Sequence, residues 1–101
     1  MSQFTTIRQY FRRYIETPWY EASAAYKEHV NDTYHATGKI ISSTSELDDD
    51  QLILTKTVVW ANKEYRDAFI NDPVFIADLE LRDLHHETHG ITFRMVTPSL
   101  D

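Results

Sequence analysis

His85, His86 and His89 crowd one short stretch of an acidic chain, and His85 and His89 are four residues apart. A helix would put those two imidazoles on one face. At that spacing they could bind a divalent metal, with Glu87 or Asp83 as a further ligand. The string HHETH is not the HExxH arrangement of metalloproteases, because only one residue separates Glu87 from His89. Histidines also sit well at a helix C-terminus, where they interact with its dipole. That second reading is adopted, and no metal site is assigned. Asp48, Asp49 and Asp50 could ligate a hard cation such as calcium. They lack the Asp-x-Asp-x-Asp-Gly spacing of an EF-hand loop and read as a solvated turn. There is no cysteine nucleophile, no glycine-rich phosphate loop, and no sequence context that would place Ser42, Ser43 or Ser45 in a triad. The catalytic residues, if any, are not named by the sequence.

Aromatic side chains are the second candidate set. Tyr10, Trp19, Tyr26, Tyr34, Trp60, Tyr65, Phe69 and Phe75 are many for one small domain. At strand or helix spacing such residues read as core. Grouped around a cleft they would accept a flat apolar ligand. The third set is cationic. If Ile7 and Phe11 face the helices, Arg8 and Arg12 share the opposite sheet face with Arg94 of a neighbouring last strand. Cations clustered in an acidic protein point to an anionic ligand or to acidic groups across a subunit interface.

The elements that position these groups are set by the stretch Gln51–Ile76. Leu52 to Val59 is rich in Leu, Ile, Val and Thr on both alternating faces and ends at Trp60. This predicts a central strand covered on both sides. Trp60 is expected at the helix–sheet junction, mostly buried, with its indole N–H bonded. Asn62 is a good N-cap, and Tyr65, Ala68 and Phe69 follow at helical spacing. Pro73 must end that helix near Asn71, and Asp72-Pro73 can start another. Upstream, Phe4–Tyr14 reads as a strand with a helix from Arg8 as its competitor. Thr17-Pro18 predicts a helix running from Trp19 to about Ala36, with Gly38 closing it. Lys39–Ser45 and the Gln51 strand form a hairpin across the three aspartates. After Gly90, Ile91–Val96 is a last strand that ends at Thr97-Pro98. The order is β-α-β-β-α-β, a split βαβ or ferredoxin-like pattern.

At 101 residues the chain is one domain, with 42% hydrophobic and 26% charged residues. No apolar run approaches the roughly 20 residues that span a bilayer. The first residues do not form a secretion signal. The absence of cysteine excludes disulfides and fits a cytoplasmic location. A formal charge of −6 disfavours nucleic acid and anionic membranes as partners.

The segment WANKEYRDAFINDPVF, a tryptophan closing the third strand and then a helix broken by a proline, resembles the antibiotic biosynthesis monooxygenase-like families. These belong to the dimeric α+β-barrel superfamily. The resemblance implies a ferredoxin-like sandwich whose two copies pair sheet to sheet into a barrel, with a ligand pocket between each sheet and its helices. Some members oxidise aromatic substrates without a cofactor, some degrade haem, and many have no known activity. Several carry a histidine early in the second helix, where this chain has Asp67-Ala68-Phe69-Ile70, so haem is not implied and no cofactor is expected. Trp60 with Asn62 is loosely similar to the tryptophan–asparagine pairing of cofactor-free oxygenases. The ligand-binding candidates are therefore Trp60, Tyr26, Tyr65, Phe69 and Asn62. The expected function is a homodimer that binds a small aromatic or apolar molecule; the alternative is a non-catalytic interaction protein that works through its dimer.

Overall fold

A computed structural model describes residues 2–98. The elements are β1 (Phe4–Phe11), α1 (Ala24–Val30), β2 (Ile40–Leu47), β3 (Ile53–Trp60), α2 (Lys63–Ile70), α3 (Pro73–His89) and β4 (Thr92–Thr97). A π-helical turn over Asn31–His35 extends α1. The strands make one antiparallel sheet in the order β2-β3-β1-β4, so this is an α+β domain with a four-stranded sheet and three helices. Among the described residues, no helix is long and apolar enough to cross a membrane.

Capping chemistry fixes the boundaries around α2 and α3. The Tyr65 amide donates to Asn62 Oδ1 at 3.0 Å, which satisfies one free amide of the first turn of α2. Asp72 repeats the device for α3, accepting from the Val74 amide at 2.9 Å, with Pro73 in the first turn. Gly90 closes α3 at φ 69°, a left-handed conformation that glycine adopts without steric penalty. The β2–β3 turn is held by Asp48, whose Oδ1 accepts from the amides of Leu52 and Ile53, each at 2.9 Å.

The first helix departs from expectation. It starts at Ala24 with Ser23 as its cap, rather than at Thr17-Pro18. The carbonyls that would begin an earlier helix are taken by one nearby and one distant side chain. Arg12 Nη1 donates to the Thr17 carbonyl at 2.8 Å, and His85 Nε2 donates to the Pro18 carbonyl at 2.8 Å. Arg12 also ends β1 three residues before Tyr14, because its Nε turns to the Gln51 carbonyl and its guanidinium lies 4.4 Å from the Trp19 ring centre.

The two sheet faces are read from the register. On the helix-covered face the rungs are Phe4–Trp60–Ile40, Thr6–Val58–Ser43, Met95–Arg8–Lys56–Ser45 and Phe93–Tyr10–Leu54–Leu47. A bulge at Ile41 lets both Ile40 and Ser43 point to this side. The open face carries Ile7, Gln9, Phe11, Ile53, Thr55, Thr57, Val59 and Arg94. The cluster expected of Arg8, Arg12 and Arg94 is therefore divided. Arg8 and Tyr10 point toward the helices, Arg94 lies on the opposite face, and Arg12 closes the loop. Pleat alternation alone decides this, since Ile7 and Phe11 face outward.

Tyr34, Ile40 and Trp60 form the buried cluster, with Phe4, Val30, Val58 and Phe69 packed against it. Tyr34 and Trp60 stand edge-to-face to one another and to Phe69, with ring centres 5.0–6.1 Å apart.

Candidate functional site

Helices and sheet do not close on each other. They border a half-open cavity of about 830 Å³, lined on its floor by the sheet rungs and on its roof by α1, α2, α3 and the loop before α1. Only Tyr10, Tyr34, Ile40, Trp60 and Ile91 are buried apolar residues among those described, so much of the interior is wall around space. That volume lies within the range of small-molecule sites.

One end of the cavity is aromatic. Trp60, Phe69 and Phe75 line it, with Phe69 and Phe75 centres 4.4 Å apart and Val30 and Ile40 beside them. Arg66 also lies at this end, 4.9 Å from the ring centre of Phe4, the partner of Trp60, and paired with Asp67. The other end is cationic. Arg8 and Lys56 are direct cross-strand partners, and Arg82 reaches down from α3. Their charged atoms lie 6.0, 5.7 and 5.8 Å from the centre of the Tyr10 ring. Arg82 Nη1 donates to the Tyr10 hydroxyl at 3.2 Å, and Arg82 Nε is buried with no hydrogen-bond partner among the described residues. Lys56 lies two rungs from Trp60, about 13 Å along the strand at 3.3 Å per residue.

Burial, reinforced by Arg8 and Arg82, lowers the pKa of Lys56 from the ordinary lysine value. Burial, with Arg82 nearby, likewise lowers that of His86. On the roof, burial and a 2.6 Å hydrogen bond to Asp78 push the Tyr20 phenol up to about 12. Burial and Asp78 raise the Tyr26 phenol as well. Both phenols stay protonated at neutral pH, and Tyr20 donates to Asp78.

The cavity brings together Trp60, Tyr26 and Phe69 of the sequence candidates. Tyr65 lies outside it, 36% exposed, with the Lys39 ammonium 5.6 Å from its ring centre. Asn62 is buried in its capping role and is not part of the lining. Trp60 is 2% exposed, but its indole N–H has no partner among the described residues, contrary to expectation. The strand delivers the ring to the junction, whereas a partner had to come from elements far away in sequence. His85 and His89 stack on the surface with centres 4.3 Å apart, while His86 turns inward against Tyr10. No group of three or more His, Asp or Glu side chains suited to a metal occurs among the described residues.

Lys56, Arg8 and Arg82 were not among the residues the sequence nominated for the pocket. Lys56 had a signal, because a lysine in the middle of LILTKTVVW interrupts an apolar face. Arg82 had none, as an arginine on a long helix usually faces water.

No protein family model, curated protein or solved structure matches this chain.

Proposed function

We propose that this chain is a ferredoxin-like domain that binds a small aromatic or apolar molecule in the cavity between its sheet and helices. In this reading two copies meet through their open sheet faces as a dimeric α+β barrel, in the manner of the monooxygenase-like proteins that its third strand and broken helix resemble. The observation that carries the proposal is the cavity of about 830 Å³ with Trp60, Phe69 and Phe75 as its aromatic wall. A domain of this size that needed only a core would gain by packing that apolar wall against side chains instead of leaving it to water. A ligand supplies that packing.

The test uses the fluorescence of Trp60 in a Trp19→Phe background, so that one indole reports. A neutral aromatic alcohol should raise the melting temperature and change Trp60 emission in a saturable way. Absence of both effects across a panel of such compounds would leave the assembly alternative standing. Oxygen uptake in the presence of a compound that binds separates an oxygenase from a binding module, because simple binding consumes none.

A further inference from the structure

Building on that ligand-binding reading, we infer that the ligand is amphipathic, with an aromatic or aliphatic body and a carboxylate head group held by Arg8, Lys56 and Arg82. The sheet places Arg8 directly opposite Lys56 on the covered face. Like charges in that position repel and destabilise a sheet. The rung that holds them is completed by Met95 and Ser45, so no carboxylate neighbours either one on the floor. Neither forms an ion pair with any described residue. Arg82 joins them with its side chain only 14% exposed, paired at 3.5 Å with an exposed Asp83 that faces away from the lining. Of the two lining carboxylates, Asp78 accepts from Tyr20 and Glu21 accepts from Lys27.

Three cations thus converge on one end of a partly desolvated cavity in a chain whose formal charge is −6. An anion there removes the repulsion and gains charge-assisted hydrogen bonds, while the aromatic end about 13 Å away takes the apolar body. A carboxylate fits better than a phosphate. Phosphate sites draw on free backbone amides at loops and helix starts, and here the cations project from the middle of paired strands and the middle of α3, where the amides are already bonded.

The matched probes are 6-phenylhexanoate and 6-phenylhexan-1-ol, titrated against Trp60 fluorescence and melting temperature in the Trp19→Phe protein. The acid should bind about tenfold to a hundredfold more tightly than the alcohol, as expected for hydrogen bonds to charged groups. In Lys56→Met, and separately in Arg8→Gln, the acid-to-alcohol ratio should fall toward one. Each variant is first checked for a cooperative melt, and either suffices if the other does not fold. Equal binding of acid and alcohol to the parent protein, or a ratio unchanged in the folded variants, overturns the head-group assignment and leaves the apolar pocket intact. Failure of both probes to bind overturns the pocket itself, and the head-group assignment with it.

Discussion

At the residue scale the fold is pinned by Asp72, which caps α3 and accepts from His29 Nε2 and the Tyr34 hydroxyl, both at 2.7 Å. Burial alone would raise its pKa, but these donors together hold it below its ordinary 3.8. A depressed carboxyl stabilises the fold above its unfolded pKa, and that contribution is lost as pH falls through the folded value. Acid titration of stability should therefore show a loss below about pH 4, and Asp72→Asn should flatten that limb. Asp72→Ala removes the cap and orphans the Tyr34 hydroxyl, and should cost about 2–4 kcal/mol by urea denaturation. Trp60→Ala should cost about 3–5 kcal/mol, as for a tryptophan that is 2% exposed and packed against Tyr34 and Phe69. The burial of Trp60 was legible from its place at the end of an apolar strand. Its unpaired N–H was not, since no local rule says which distant acceptor comes near.

At the element scale, legibility tracked how local the cause was. Asn62, Asp72-Pro73 and Gly90 act on their own backbone, and each boundary falls where its chemistry places it. The start of α1 depended instead on two side chains outside it, Arg12 from five residues back and His85 from far along the chain, capturing two carbonyls. A proline after a threonine could not reveal that competition. The π-helical turn at Asn31–His35, closed by the Ala36 amide on the Asn31 carbonyl at 2.8 Å, was also invisible in the pattern. It adds a residue to one turn, and that segment supplies buried Tyr34 together with Asn31 and His35 of the cavity lining. The glycine cap gives a clean test of the local rules. A Cβ on Gly90 meets nothing within 4 Å, so Gly90→Ala isolates the conformational cost of φ 69°. The expected loss is about 1 kcal/mol, read as a lower melting temperature with unchanged ligand response. A loss much larger than that would mean α3 is held by more than its cap.

At the scale of the whole molecule, the proposed dimer is tested at the open sheet face. Ile7, Phe11, Ile53 and Val59 lie there around a polar rung, Arg94–Gln9–Thr55–Glu46, which crosses all four strands. The rung is largely satisfied within itself. Arg94 Nη2 donates to Gln9 Oε1 at 2.9 Å, and Gln9 Nε2 donates to Thr55 Oγ1 at 3.2 Å, so the middle of the face can be buried without orphaning its amide. Its two ends carry opposite charges, Arg94 on the β4 edge and Glu46 on the β2 edge. In the proposed dimer, a two-fold axis parallel to the strands would turn one sheet over the other and lay β4 of each copy on β2 of its mate. Arg94 of one copy would then meet Glu46 of the other, twice per dimer, as isologous symmetry requires. Four strands about 4.8 Å apart and roughly 23 Å long offer an area at the small end of specific interfaces, so the proposed dimer should dissociate on dilution. Sedimentation across the micromolar range should show that equilibrium. Arg94→Glu and Glu46→Arg should each shift it toward monomer through like-charge contacts, and the double exchange should restore it. A monomer at every concentration would remove the barrel, whereas a dimer indifferent to either exchange would place its interface elsewhere, with the exposed Leu81 and Leu84 of α3 as the next surface to substitute.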